Sequence, residues 1–273
     1  MKLLYGKPIA DKILNRLKSD IAASEKKPGL AVILVGDDQA SHLYVSLKEK
    51  TAHEIGMNFS RFDFAINVSE NEIIDIIQKL NVDEKINGII VQLPLPDGLD
   101  SEKIISKIDP RKDADGFYAK NEKDLQPVFS HAIMLLAESS GEILENKKAI
   151  IVANSDEFGK VMVATFKQKN ISAEYFISKD ISLNLGKIND ADIVVSAVGS
   201  QGLLRGKMLK EGAIVIDGGI EKVDGKVKGD VDFASTEEKT GFLSPVQGGV
   251  GPLTIACLLE NVFIAFKAQQ KEK

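Results

Sequence analysis

The amino-acid sequence predicts an α/β protein built from two parallel-sheet domains. Short apolar runs alternate with helical patterns through most of the 273 residues, and this alternation is typical of parallel sheets covered by helices on both faces. The runs 149–152 and 193–195 are continuously apolar, which fits strands buried on both faces. A charged stretch at 100–145, which contains Pro110 and Pro127, separates two sets of strands and indicates the domain junction.

The elements follow one another in a regular order. In the first domain, we predict strands at 29–36, 61–66 and 86–93 and helices at 9–24, 41–55 and 70–80. In the second, we predict strands at 148–153, 173–178, 192–198 and 213–217 and helices at 131–137 and 159–169. A last helix at 253–267 follows Pro252, a residue favoured in a first helical turn. We place the first domain at 1–128, completed by the C-terminal helix 252–270, and the second at 129–251.

The composition and charge of the chain argue against several classes of function. The net charge of −5, from 35 basic and 40 acidic residues, argues against a nucleic-acid or membrane-surface role, because both usually need a basic face. Cys257 is the only cysteine and is interpreted as a core residue. His42, His53 and His131 lack the spacing of metal ligands, so we expect no metal site. Without a targeting pattern or an apolar stretch near eighteen residues, we expect a soluble cytoplasmic protein.

A helical pattern places Tyr44 and Lys48 four residues apart, so that both side chains lie on one helix face. A ring beside a lysine can hold a flat substrate while the amine moves protons, provided that burial lowers the lysine pKa. Taken alone, the pair is more typical of a half-buried tyrosine beside a solvated lysine. Gln92 and Asp115 also have ordinary interpretations, as a hydrogen-bonded core amide and a turn residue before Gly116.

The segment 147–178 reads strand–turn–helix–strand and resembles the opening unit of a dinucleotide-binding fold, whose helix N-terminus offers N–H groups to pyrophosphate. Its turn at 153–159 is not G-x-G-x-x-G, and the acids within it would repel phosphate, so a plain α/β turn stays open. Lys179 would suit a ribose 2′-phosphate or be a solvated surface residue. Three glycine loops would let backbone lie against a flat ligand; they lie at 197–200, 217–220 and 247–252.

Four segments together resemble the bifunctional methylenetetrahydrofolate dehydrogenase/cyclohydrolase family. The S-x-x-Y-x-x-x-K helix matches 41–48, and the VQLPLP strand matches 91–96. The P-x-K-D-V-D-G-F turn matches 110–117 with alanine in place of valine, and the P-V-P-G-G-V-G-P-M-T loop matches 245–254 with two replacements. The resemblance covers nearly the whole chain. It implies a Rossmann-like second domain and an active-site cleft between the two domains.

The resemblance also implies an activity on tetrahydrofolate derivatives. By this resemblance, 5,10-methylenetetrahydrofolate is oxidised to 5,10-methenyltetrahydrofolate with NADP, or alternatively NAD, as cofactor, and the product is hydrolysed to 10-formyltetrahydrofolate. Lys48 is implied as the general acid/base, Gln92 as its hydrogen-bonding partner, Tyr44 as a residue packed on the folate, and Asp115 as the anchor of the pterin. The remaining implied substrate contacts are Val91, Leu93, Gly248, Gly249, Val250, Gly251, Pro252 and Thr254. The family usually forms homodimers through its second domain.

The departures from the family pattern lie on the cofactor side. Within the family's G-R-S-x-x-V-G-x-P turn, the glycine, arginine, valine and proline are replaced by Ala153, Asn154, Phe158 and Val161. The arginine faces the NADP 2′-phosphate in the family, a bidentate role that asparagine cannot reproduce. The P-C-T-P-x-G junction is altered at 127–132. The implied cofactor contacts are Ala153, Asn154, Ser155, Gly159, Ser178, Lys179 and Ile220.

These departures predict weak NADP affinity or a preference moved to NAD. Two alternatives stay open: an enzyme that retains the cyclohydrolase activity alone, and a non-catalytic folate-binding or partner-binding paralogue. The retained Tyr44, Lys48, Gln92 and Asp115 argue against the paralogue, since a protein that only binds folate does not need a tuned lysine.

Overall fold

A computed structural model of the chain describes residues 1–117, 125–223 and 225–271. It confirms the α/β class with parallel sheets. Within these residues the elements, in chain order, are β1 (Lys2–Leu3), α1 (Lys7–Ala22), β2 (Gly29–Val35), α2 (Gln39–Glu54), β3 (Asn58–Phe64), α3 (Glu70–Val82), β4 (Gly88–Val91), α4 (Ser101–Ile105), α5 (Val128–Glu138), β5 (Lys148–Ala153), α6 (Asp156–Gln168), β6 (Ser172–Ile177), α7 (Leu185–Asp190), β7 (Ile193–Ala197), β8 (Ile214–Asp217), β9 (Glu221–Val223), β10 (Lys226–Lys228), β11 (Phe242–Leu243) and α8 (Val250–Lys271).

The residues group into two compact units. One, called here the three-stranded unit, comprises Asp11–Val128 and Ile255–Lys273. The other, called the six-stranded unit, comprises Met1–Ala10 and Phe129–Thr254. The division therefore runs through α8 after Thr254.

The three-stranded unit contains a parallel sheet in the order β3-β2-β4. Every residue of the central strand β2 is buried, as its continuous apolar run predicts. Helix α3 begins at a capping box in which Ser69 and Glu72 satisfy each other's backbone N–H groups. Strand β3 begins at Asn58 instead of residue 61, because its half-exposed polar residues still pair in register with β2.

The six-stranded unit contains a parallel sheet in the order β1-β11-β8-β7-β5-β6. From β5 the chain passes to β6 on one side and then returns to β7 on the other. The topological switch point, where open α/β sheets bind ligands, therefore lies at the carboxyl ends of β5 and β7. The sequence pattern missed β1 and β11, since two residues are too few to show a period.

Helix α8 corrects one expectation. By length and composition it is apolar enough to cross a membrane, with a mean hydropathy of 1.5, although 56% of the apolar window is buried inside the fold. The expectation of no such stretch was wrong because Glu260 and Asn261 interrupt the apolar run without lowering its average much. Asn261 Nδ2 donates to the carbonyls of Ala114 and Gln126 at 2.9 and 2.8 Å. Such burial and internal bonding are typical of a core helix. Cys257 is buried in it, and this burial raises the pKa of the thiol to about 12.

Candidate active site

Helix α2 carries both Tyr44 and Lys48. The helix begins after Asp38, whose carboxylate accepts a hydrogen bond from the Ser41 N–H at 2.7 Å and so satisfies a free amide of the first turn. Ser41, Val45 and Ala52 form the buried face of the helix. Tyr44 and Lys48 lie beside this face and are half-buried.

Strand β4 brings Gln92 to Lys48. The backbone N–H of Gln92 donates to the Ile33 carbonyl at 2.8 Å, which continues the sheet ladder one residue past the end of β4. Lys48 Nζ donates to Gln92 Oε1 at 2.7 Å, and Gln92 Nε2 donates to the Leu93 carbonyl at 2.7 Å. The second bond fixes the amide so that its oxygen faces the lysine. Val91 is buried at the end of β4, whereas Leu93 is 39% exposed.

Burial shifts the pKa values of Lys48 and Asp115. Loss of hydration lowers the pKa of Lys48, and the charge of Asp115 opposes this effect. Loss of hydration likewise raises the pKa of Asp115, against the charge of Lys48. Because burial dominates in both cases, Lys48 exchanges its proton closer to neutral pH than an exposed lysine does, as a general base must.

The turn that carries Asp115 is held from several sides. The Asn261 amide described above binds the carbonyls on either side of it, at Ala114 and Gln126. Gly116 adopts a φ of +75°, and a side chain there would collide with the Gln126 carbonyl. Lys112 is buried, and its Nζ donates to the Leu80 and Asp83 carbonyls at 2.9 and 2.8 Å. Asp115 therefore has a fixed backbone position.

The turn after β5 has the packing of a dinucleotide-binding unit. Ser155 Oγ accepts a hydrogen bond from the Phe158 N–H at 3.2 Å and caps α6. A Cβ built on Gly159 would lie 2.2 Å from the Tyr175 ring, so only glycine permits this close approach of helix to strand. The residues of this turn thus fit a dinucleotide. Asn154 is exposed and offers no guanidinium.

The residues predicted to contact the ribose 2′-phosphate lie at the ends of two neighbouring strands. Ala153 pairs with Ile177 at the ends of β5 and β6, so Asn154 and Ser178 each follow the last paired residue of adjacent strands. Lys179 lies in the short 3-10 helix Ser178–Leu183 and is exposed.

The glycine loops of the six-stranded unit pack closely against neighbouring backbone segments. A Cβ on Gly199, in the loop after β7, would lie 3.3 Å from the carbonyl oxygen of Ile220, in the loop after β8. In the third loop, the Gly248 carbonyl accepts from the backbone N–H of Gly6 at 2.8 Å. The sequence pattern gave no role to Gly6. The remaining candidate residues of this loop, Gly249, Val250, Gly251, Pro252 and Thr254, lead into and form the first turn of α8.

Two buried aspartates, which the sequence analysis missed, organise these loops. The Asp230 carboxylate accepts from three successive backbone amides, those of Val198, Gly199 and Ser200, at 2.7, 2.9 and 2.7 Å. The Asp217 carboxylate in turn accepts from the backbone amide of Asp230 at 3.1 Å and from that of Val231 at 3.0 Å. Asp217 could have been suspected from its place before two glycines, but no local pattern marks Asp230.

Asp217 gives a pH-dependence that can be measured. Burial raises the pKa of Asp217 to about 6, from a model-compound value of 3.8, and the charge of Asp230 acts in the same direction. The folded state therefore keeps a proton that the unfolded state has lost, and the free energy of unfolding falls as pH rises through this window. The fall should be up to about 3 kcal/mol between about pH 4 and pH 7.

The comparison with Asp217→Asn isolates this contribution, because other carboxylates titrate in the same range. The variant lacks the group, so the wild-type free energy of unfolding minus that of the variant should decrease by about 3 kcal/mol over the same interval. Urea unfolding at a series of pH values measures it. A difference that does not change with pH would contradict the assignment.

Comparisons with known proteins identify the family of the chain. The model of the tetrahydrofolate dehydrogenase/cyclohydrolase catalytic domain matches residues 4–115, and that of the NAD(P)-binding domain of the same family matches residues 127–270. The bifunctional protein FolD of Halothermothrix orenii is 40% identical over 97% of this chain and 98% of its own length.

Solved structures give the same result. The bifunctional FolD methylenetetrahydrofolate dehydrogenase/cyclohydrolase of Campylobacter jejuni is 37% identical, with a TM-score of 0.92 over 98% of this chain and 99% of that one. The Trypanosoma brucei enzyme, solved with NADP and an inhibitor, is 30% identical, with a TM-score of 0.92 over 98% of each chain. The chain therefore belongs to the tetrahydrofolate dehydrogenase/cyclohydrolase family.

Proposed function

We propose that this chain is a bifunctional methylenetetrahydrofolate dehydrogenase and methenyltetrahydrofolate cyclohydrolase. The observation that carries the proposal is the half-buried Lys48, hydrogen-bonded to Gln92 at 2.7 Å and lowered in pKa by burial. The bifunctional relatives and the match to both family domains support the same activity.

In the hydrolytic step, water adds to the one-carbon unit of the methenyl cation, and Lys48 in its neutral form accepts the proton of that water. The hydroxyl of this adduct then gives up its proton as the bond from the carbon to N5 breaks, N5 takes up a proton, and the formyl group stays on N10. Overall, one water is consumed and one proton is released. The substrate's positive charge lowers the pKa of the adjacent amine further. Tyr44 packs against the folate, and Asp115 binds the pterin.

The cofactor belongs to the six-stranded unit. A bound NAD(P) would supply the acceptor for the hydride that leaves the methylene carbon. Ser155 and Gly159 shape the turn that approaches its pyrophosphate, and Ser178 and Lys179 lie at the strand end where the ribose 2′-position is read. Because Asn154 replaces the family arginine, we expect weaker NADP binding or a preference for NAD.

We assign residues 1–128, with the C-terminal helix 252–270, to the folate-binding domain and 129–251 to the nucleotide-binding domain. The implied homodimer and the cytoplasmic location are part of the same proposal, and we expect no nucleic-acid or membrane partner. The net charge of −5 agrees with the latter expectation.

Formation of methenyltetrahydrofolate from the methylene substrate tests the proposal when it is measured in parallel with NADP, with NAD and without cofactor. Turnover with either nucleotide establishes the dehydrogenase. Hydrolysis of methenyltetrahydrofolate by a sample that shows no such turnover would instead establish a cyclohydrolase-only enzyme, the alternative favoured by the altered turn at Asn154. Failure of both reactions would contradict the proposal.

Two substitutions of Gln92 should shift the pH profile of hydrolysis in opposite directions. Gln92→Glu places a negative charge beside Lys48, which raises the lysine pKa and moves the rise in activity to higher pH. Gln92→Met removes the acceptor of the Nζ–H bond, which lowers the lysine pKa and moves the rise to lower pH. Initial rates of hydrolysis across pH measure both shifts. Profiles that move in the same direction would show that Gln92 does not tune the lysine.

A further inference from the structure

Two aromatic residues that replace smaller family residues pack together in the six-stranded unit. Phe129 stands at the threonine of the P-C-T-P-x-G junction, and Phe158 at the valine of the nucleotide turn. Their ring centroids are 5.5 Å apart, and the ring planes are inclined at 45°. Both side chains are half-buried. The two departures, separate in the sequence, therefore form one feature, called here the aromatic pair.

The aromatic pair lies at the carboxyl edge of the six-stranded sheet. Phe158 belongs to the first turn of α6, directly after β5. A Cβ built on Gly218, the residue that follows β8, would lie 2.9 Å from Phe129 Cζ and 3.7 Å from Cβ of Ala197, the last residue of β7. The pair thus extends from the turn after β5 to the ends of β7 and β8, across the switch point.

This position distinguishes the two ends of a dinucleotide. In a doubly wound sheet, each side of the switch point holds one mononucleotide half. The β5-α6-β6 side carries Asn154 and Ser178, the residues at the 2′-phosphate end. The contact of Phe129 with Gly218 places Phe129 on the β7–β8 side, which faces the nicotinamide riboside half, and Phe158 packs against the Phe129 ring from the first turn of α6.

We propose that Phe129 and Phe158 form a cofactor-binding surface on which the nicotinamide riboside half of the dinucleotide packs. This inference rests on the proposed dehydrogenase activity. Flat heteroaromatic rings pack favourably on aromatic faces, and this packing does not depend on a phosphate at the far end of the ligand. The pair therefore supplies binding energy that NAD and NADP share equally, in a chain that lacks the arginine selective for NADP.

Isothermal titration calorimetry with NAD, NADP and ADP tests the proposal on Phe129→Thr, Phe158→Val and the double variant. Each change restores the family residue, so folding is expected to persist, and thermal melting checks it. We expect each single variant to bind NAD and NADP about 10-fold more weakly, by equal factors. Binding of ADP, which lacks the nicotinamide riboside, should not change. The double variant should lose less than the product of the two factors, because the rings act together.

Phe233→Thr is the matched control, because Phe233 is 52% exposed in the same unit and should leave all three affinities unchanged. Unchanged or tighter NAD binding by the variants of the aromatic pair would overturn the proposal, and so would an equal loss of ADP binding. If the wild-type protein bound neither NAD nor NADP, the proposed dehydrogenase activity would fail and this inference with it. By contrast, if the wild type bound the nucleotides and the variants bound them equally well, only this inference would fail.

Discussion

Lys48→Met should reduce hydrolysis of methenyltetrahydrofolate by at least about 100-fold, the lower end of the usual contribution of a general acid or base. Methionine fills a similar volume but cannot accept the proton of the attacking water. The variant should be as stable as the wild type, because the amine that it removes loses hydration on folding. Initial rates of hydrolysis and a thermal melting curve measure both expectations.

Lys50→Met is the matched control for this variant. It removes the same group from the same helix, but Lys50 is exposed and makes only a 3.9 Å contact with Glu54, an arrangement that contributes little. Hydrolysis should be close to normal in this control. If Lys48→Met also retained near-normal hydrolysis, Lys48 could not be the proton acceptor, and the mechanism proposed here would be wrong.

Asn154→Arg should tighten NADP binding by about 10- to 100-fold and leave NAD binding nearly unchanged. The restored guanidinium can form charge-assisted hydrogen bonds to the 2′-phosphate, each contributing about 1.5–3 kcal/mol. NAD has a hydroxyl at that position and gains no such bond. Dissociation constants for both nucleotides, measured by calorimetry, give the ratio directly.

Gln168→Arg serves as the control for this second variant. It adds the same charge at the exposed C-terminal end of helix α6, at the opposite end of this helix from the nucleotide turn that contains Asn154. If the control bound NADP more tightly by a similar factor, the gain in Asn154→Arg would come from a general attraction of anions and not from a contact with the 2′-phosphate. If Asn154→Arg tightened the binding of NAD and NADP by the same factor, the side chain at this position would not contact the 2′-phosphate.

The sequence predicted those helices and strands whose residues follow a local hydrophobic pattern. Strands β2, β5 and β7 contain continuous apolar runs, and helix α2 has both a cap and a buried face. These features depend on neighbouring residues, which a periodic pattern reports well. Strands β1 and β11 depend on pairing between the two ends of the chain, so no local pattern indicates them.

The same distinction applies to the candidate site. The position of Lys48 on a helix follows from the local pattern, whereas its bond to Gln92, 44 residues away, was implied only by the family resemblance. Asp230 binds amides some thirty residues earlier in the chain, and Phe129 meets Phe158 through tertiary packing. Contacts of this kind are set by how loops close over a sheet edge, and hydrophobic periodicity carries no information about them.

The division that runs through α8 has a consequence for synthesis on the ribosome. Residues 11–128 leave the ribosome early, but Asn261, which holds the backbone around the Asp115 turn, is translated much later. Domains generally fold as units in the order in which they emerge. Here the first sheet emerges long before the helix that completes its unit, so the nascent chain holds the backbone of the Asp115 turn in its finished position only after α8 has emerged.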